Sequence, residues 1–451
     1  MRRILLQCGW LLLFGIFAPI GATAEEPLTL RQAIQQALGE NPEIKLAAAG
    51  SLEAKSNASL ARTQLLPQIS LTEDISRGND PVYVFGSKLR QQRFTMADFD
   101  LNALNRPTPI NNFATHFTGS WMAFDSFKTQ KSIHSADLMR KSAESSAKAV
   151  NQKVVLDVVQ AYQSVLYAER QIEIAQHELE TSQALLDSVE DHVKAGLAVE
   201  SDRMSAQVNV ADRKQVLIAA QGELSLAWAQ LRVAMGAPNL AQTKLQPIEP
   251  HDYPQSAIEQ EMQTAERTRA DLSALIEAQS AQASQVIAAR WSYGPRVSAY
   301  GSAGQDRPSF AGSGGNNWVA GVQISLDLLP FSKRAQVAHE NAVKSRVDAQ
   351  VASYQQQVSF QVSQAHIQRQ TAQLSLETAR TAIDQATESL RILRNRYGAG
   401  LATITDLLRA EDAERQSQTN YWHAVYGNAM AYAQLLFATG TLTPDAAEEL
   451  Q

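Results

Sequence analysis

Cysteine is almost missing from this chain of 451 residues. Cys8 is the only one, which excludes a disulfide framework and a cysteine-ligated zinc site. Strong charge of either sign is missing too: 40 Lys+Arg against 46 Asp+Glu leave −6, without the basic excess that nucleic acid demands. Beyond the first 20 residues no stretch of ~18 uninterrupted apolar residues occurs, so no membrane helix is expected there. A membrane crossing would have to be made by β-structure. The eight histidines are scattered and never form His-Glu-x-x-His. Ala311-Gly312-Ser313-Gly314-Gly315 lacks the Lys-Ser/Thr of a phosphate loop and reads as a hairpin loop. No catalytic residue, metal ligand or cofactor is therefore expected, and the chain does not read as an enzyme. A hydrophobic fraction of 44% excludes wholesale disorder.

What is present begins at the N-terminus. Arg2 and Arg3 precede an apolar stretch from Ile4 to Ile20, and Ala22-Thr23-Ala24 supplies a small-x-small cleavage pattern. The expectation is a secretory signal peptide over 1–24; the alternative is an N-terminal anchor, which Gln7 and Pro19 interrupt. Removing the two arginines takes the charge to −8, and Cys8 leaves with them.

The chain then repeats itself. Ala195-Gly196-Leu197-Ala198 recurs as Ala399-Gly400-Leu401-Ala402, and the offset of 204 holds at Asp202/Asp406, Gln230/Gln434, Leu231/Leu435 and Gly236/Gly440. Across 195–236 it gives 13 identities in 42 positions. Earlier, Ala61-Arg62, Pro67 and Ser70 recur as Ala289-Arg290, Pro295 and Ser298 at an offset of 228. The difference places 24 additional residues in the first copy, within Arg77–Asn112, a stretch carrying Tyr83, Phe85, Phe94 and Phe99. The expected organisation is a signal peptide (1–24), a first repeat (25–236), a proline-rich linker (237–256), a second repeat (257–440) and a C-terminal tail (441–451).

Each copy reads helix, strand, strand, long helix, tight turn, helix. In the first, Val154, Val158, Ala161, Val165, Ala168, Ile172, Ala175, Leu179, Leu186, Val189 and Val193 follow steps of 3 and 4, broken only by Ser182. The second repeats the pattern from Val358 to Tyr397, broken by Arg369. A sustained 3.5-residue period predicts coiled-coil packing. The partner is the helix after the turn, whose seam runs through Leu217, Ala220, Leu224, Ala227, Leu231 and Ala234. The first long helix, about 131–194, would span ~95 Å at 1.5 Å per residue. Two shorter helices, 43–66 and 202–235, would stack end to end against it. That is a tall cylinder with helical walls.

Between 66 and 128 the period falls to 2. Ile69, Leu71 and Ile75 alternate with polar residues, as do Phe113, Phe117 and Trp121. In the second copy Trp318, Ala320, Val322, Ile324, Leu326 and Leu328 form one apolar face. Strands of ~10 residues with this dyad suit an outer-membrane barrel, apolar toward lipid; the alternative is two hairpins on a soluble core. Four strands cannot close a barrel, so a barrel would be shared between protomers.

The duplication, the twice-occurring Ala-Arg-x(4)-Pro-x-(Ile/Val)-Ser and the twice-occurring Ala-Gly-Leu-Ala-x(3)-Asp resemble the TolC-type outer-membrane efflux proteins over essentially the whole chain. The resemblance implies a fold of long coiled-coil helices with a small β-part. It implies a homotrimer whose twelve-stranded barrel, four strands per chain, sits in outer-membrane lipid and continues as a periplasmic α-helical barrel. It further implies an exit duct of a tripartite efflux or type I secretion system. The partners would be a periplasmic adaptor (membrane fusion protein) and an inner-membrane RND, ABC or MFS-type transporter. A periplasmic coiled-coil adaptor is the alternative, although adaptors usually carry one helical hairpin and no paired dyad strands.

By the same resemblance the two tips form the entrance. Asp202 and Ser201 match the first tip's polar links, and Tyr397, Gly400 and Asp406 match the second. Ala402 stands where a well-studied branch has a gating arginine, and Arg409 where it has a second aspartate, so the closing network must differ. Gly196, Leu197 and Ala198 with Gly400, Leu401 and Ala402 would dock the adaptor. From the residues alone, Ser201 and Thr405 read as N-caps, with Asp202 and Asp406 in the first helical turn. Gly196 and Gly400 read as left-handed C-caps, and Tyr397 as a continuation of the seam. Arg409, at i+3 from Asp406, is placed to pair with it. Symmetry-related carboxylates at an entrance ring would raise one another's pKa.

Overall fold

The computed structural model describes residues 27–249 and 252–450; the expected signal peptide and Cys8 lie outside them. Element order follows the two copies. The first contains α1 (Leu30–Glu40), α2 (Pro42–Thr63), β1 (Gln68–Gly78), α3 (Pro81–Arg90), α4 (Leu101–Asn105), β2 (Ile110–Phe124), α5 (Lys128–Lys194) and α6 (Glu200–Met235). The second contains α7 (Ile258–Thr268), α8 (Ala270–Trp291), β3 (Arg296–Arg307), β4 (Gly315–Ser325), α9 (Phe331–Gly398) and α10 (Ile404–Ala438). At 67 and 68 residues, α5 and α9 are each about 100 Å long.

Asn41 shows how short helices are stacked against a long one. Its Oδ1 accepts from Glu43 N at 2.8 Å and starts α2, while its Nδ2 donates to Ala234 O at 2.8 Å and closes α6. One side chain thus caps two helix ends that meet head to tail, and Pro42 at N1 gives up no hydrogen bond there. Gly236 makes the junction possible. Its φ is +66°, and a Cβ would sit 2.7 Å from the Asn41 Cα. The second copy rebuilds the joint with Gly440 against the Arg269 backbone. Both polar breaks in the seams find hydrogen-bond partners as well. Ser182 is buried and accepts from Asn209 at 2.9 Å; Arg369 donates to Tyr253 O at 2.5 Å.

The main apolar core lies at the level of these joints. Leu30, Ile34, Val158, Tyr162, Trp228 and Leu231 pack there, together with Leu245 and Ile248 from the connecting segment and Leu442 and Leu450 from the C-terminal end. Those two stretches belong to this core: Leu28 bridges to Leu245 in parallel, and the Tyr162 hydroxyl donates to Leu28 O at 2.6 Å.

The strands form one antiparallel sheet in the order β1-β2-β3-β4. Registers such as Leu71↔Phe117, Phe117↔Ala303 and Ala303↔Trp318 carry one face across all four strands. On it Ile69, Leu71, Ile75, Trp318, Val322 and Ile324 are all exposed. Leu326 and Leu328, expected on this strand, fall just beyond its end at Ser325, yet stay exposed. At the helical end of the sheet Phe124, Phe127 and Trp291 stand edge to face, with centroids 5.4 and 5.5 Å apart. Aromatics at that level belong to the interfacial girdle of a membrane barrel. Among the described residues no helix is long and apolar enough to cross a membrane.

Candidate functional site

The two hairpin tips lie side by side at the end farthest from the sheet. Each long helix ends the same way: Leu197 N donates to His192 O at 2.8 Å and Gly196 N to Val193 O at 3.0 Å. Leu401 N donates to Arg396 O at 2.8 Å and Gly400 N to Tyr397 O at 2.9 Å. This doubly bonded stop requires a left-handed residue, and the two glycines supply φ of +76° and +72°. The stop leaves Leu197 and Leu401 at the apex, 78% and 69% exposed.

The following helices begin two residues earlier than Ser201 and Thr405 would have started them. Val199 and Thr403 hold the N-cap positions, and both aspartates fall at the third helical residue. At the second tip the box is reciprocal. Asp406 N donates to Thr403 Oγ1 at 3.2 Å, and the Asp406 carboxylate accepts from Thr403 N at 3.1 Å and Thr403 Oγ1 at 2.7 Å. Val199 has no hydroxyl, so the first tip keeps only a long contact of 3.5 Å from Val199 N to Asp202. Ser201 is left exposed.

The expected pair between Asp406 and Arg409 does not form; Asp406 Oδ2 is taken by the cap instead. Arg409 acts on it only through space. The Thr403 hydroxyl, then the Thr403 N–H, hold the Asp406 carboxyl below its ordinary pKa, with Arg409 adding to the effect. In the protomer this runs opposite to the rise expected of an entrance ring.

Between the tips runs a groove of about 680 Å³ lined by His192, Leu197, Ala198, Asp202, Tyr397 and Ala402, among others. Tyr397 crosses it, its ring 6.4 Å from that of His192. Burial, and then the charge of Asp202, push its hydroxyl pKa up. Leu185, Val189, Ala206, Ile404 and Leu407 lie beneath and weld the tips together. The fold thus gathers Asp202, Tyr397 and the glycine corners, and leaves Ser201, Asp406 and Arg409 on the outside.

Sequence reasoning missed His192, Thr403 and a buried charge cluster above the tips. Arg213 (α6) is paired with Asp412 (α10) and lies 4.0 Å from Glu178 (α5); Arg394 (α9) reaches Glu411 (α10) at 3.5 Å. The signal was available, since Arg213 extends the Leu217-Ala220-Leu224 seam by one step of four.

Long paired helices, a four-stranded sheet with its apolar face outward and twin capped tips form a distinctive combination. The outer membrane efflux protein family model matches residues 33–237 and 262–441. The chain belongs to the outer membrane efflux protein family. It is an outer-membrane export channel that projects into the periplasm. It is similar to outer membrane protein OprJ of Pseudomonas aeruginosa, 25% identical over 87% of this chain and 79% of that one. It is also similar to the alkaline protease secretion protein AprF of the same organism, 23% identical over 98% of this chain and 89% of that one. Its fold is that of the Campylobacter jejuni CmeC outer membrane channel, with a TM-score of 0.78 at 16% identity, covering 93% of this chain and 88% of that one.

Proposed function

We propose that three copies of this chain close their sheets into a twelve-stranded barrel and continue it as a helical duct. The paired tips then form a periplasmic gate and the seat of an adaptor, which links the duct to an inner-membrane transporter of the RND, ABC or MFS type. One observation carries this reading: β1 and β4 each leave a free edge beside an exposed apolar face. Backbone groups at such edges find no partner in lipid. Because the strand number is even and the order sequential, β4 of one copy meets β1 of the next antiparallel, and the ladder closes without a crossover. A periplasmic adaptor would have no use for a sheet whose apolar face points outward.

At the tips, Asp202 and Tyr397 are the gate residues inside the groove, while Asp406, Arg409 and Ser201 contribute to the rim. Gly196, Leu197 and Ala198, with Gly400, Leu401 and Ala402, present exposed leucines on rigid corners and form the docking surface. The division into a signal peptide (1–24), two repeats (25–236 and 257–440), a linker (237–256) and a tail (441–451) belongs to the same reading. Ala198→Cys and Ala402→Cys, tested in cells, should crosslink to a periplasmic coiled-coil protein, while outer-membrane fractions show a heat-modifiable trimer. Trimers whose cysteines crosslink nothing would overturn the docking surface; absence of trimers would overturn the duct.

A further inference from the structure

The segment between β1 and β2 does not project from the sheet. It folds back over the face opposite the apolar one. Ser76 and Asn112 are register partners on that face, and Asp306 and Asn317 share it on β3 and β4. The α3 segment touches all four strands there. The Tyr83 hydroxyl donates to Ser76 Oγ at 3.0 Å, and Gln91 Nε2 to Asn112 Oδ1 at 2.8 Å and to Arg307 O at 3.3 Å. Asn317 Nδ2 donates to Arg90 O at 3.1 Å. Ten residues of helix measure about 15 Å, and three strand spacings about 14 Å, so α3 fits the width of the sheet.

Its seat is built for it. Asp306 is fully buried and accepts from Asn112 Nδ2 at 2.8 Å and Asn317 Nδ2 at 3.0 Å, with His116 Nε2 4.0 Å away. A Cβ at Gly315 would lie 2.0 Å from Arg90 O, so the close approach needs glycine there. The segment is also rigid in itself. Phe85, Phe94 and Phe99 stand edge to face at 4.8 and 5.2 Å, and Lys88 pairs with Asp98 at 2.5 Å. Val82, Met96 and Leu101 remain 75% exposed or more.

We propose that residues 79–109 are a lid over the exterior mouth, a second gate in series with the periplasmic tips. The inference rests on the trimeric duct. Twelve strands at ~4.8 Å spacing and ~40° tilt enclose a bore about 24 Å across between backbones. Three helices about 10 Å thick with their side chains, laid on the inner wall, fill most of that width. The exposed Val82, Met96 and Leu101 of three lids then face one another around the axis. Cargo leaving the duct must lift the lids from Asp306.

A cysteine beneath the lid reads this directly. Ser302 shares the Asp306 face, four residues farther from the mouth. In intact cells, Ser302→Cys should react with a 2-kDa polyethylene-glycol maleimide at least tenfold more slowly than the same variant with residues 82–105 replaced by a short Gly-Ser turn. If the shortened chain does not assemble, Gln91→Ala, which removes the central donor, should accelerate labelling severalfold instead. Equal rates with the lid present, absent or weakened would overturn the gate. Heat-modifiable migration of each variant shows separately whether the trimeric duct itself has formed.

Discussion

Arg213 on the first hairpin is 3% exposed and donates to the carboxylate of Asp412 on the second hairpin. The guanidinium also faces Glu178, itself buried, so a single cation joins α5, α6 and α10. Any motion that separates the two tips must part this contact. Arg213→Ala takes the cation from Asp412, which is half exposed, and from the buried Glu178 4.0 Å away, so the loss should fall below the ~3–5 kcal/mol of a fully buried pair. The temperature at which the trimer dissociates on gels should fall, with Arg213→Lys in between; an unchanged temperature would show the contact to be dispensable.

Glu178 gives this cluster a pH dependence. Burial pushes its carboxyl pKa up to about 7 from 4.5; Arg213 opposes the shift, and Glu414 and Glu411 add to it, while Arg415 opposes them. Burial raises Glu411 in the same direction. A carboxyl raised on folding binds its proton more tightly in the native state. Its contribution is therefore complete below pH ~4.5 and declines as pH rises through ~7. Thermal stability should fall across that window, and Glu178→Gln should flatten most of the decline. A slope unchanged in that variant would assign it elsewhere.

Thr403→Ala removes the hydroxyl that opens α10 and should cost about 1 kcal/mol, the usual value of an N-cap. Hydrogen exchange should accelerate at the amides of Thr403 and Asp406 while those of α5 stay protected. The Asp406 carboxyl, lowered by the cap, contributes stability above its unfolded pKa of 3.8 and loses it as pH falls below that value. The second tip should thus loosen in acid, where the Glu178 cluster tightens. Identical exchange in wild type and variant would count against the cap.

Charge on the outward face of the sheet should prevent assembly. Val322 and Ile324 are 68% and 73% exposed there; a cation near the bilayer midplane costs about 2–4 kcal/mol per strand, and less toward the interface, where Ile324 lies level with Phe124. Three copies multiply the penalty. Val322→Arg should leave little heat-modifiable trimer in outer-membrane fractions and Ile324→Arg, nearer the interface, should lose less, whereas Gln323→Arg, on the opposite face, should assemble. Normal trimers from all three would refute lipid contact.

The sequence by itself determined the element plan and its faces. Helix and strand announce themselves by periods of 3.5 and 2, which are local properties of the backbone. Glycine corners and the alternation around Trp318 could therefore be read one residue at a time. The second N-cap was misplaced by two residues because Thr403 and Thr405 are equivalent in sequence, and the first because Val199 carries no hydroxyl to mark it. Only backbone geometry decides which hydroxyl reaches the amide of Asp406. What joins distant segments was decided by tertiary structure alone. Arg213 meets Asp412 across 199 residues, and Gln91 meets Arg307 across 216. Such polar contacts carry no periodicity. Their partners are fixed only when apolar burial has brought the helices and strands into register, and a buried charge or amide must then be satisfied where it lies.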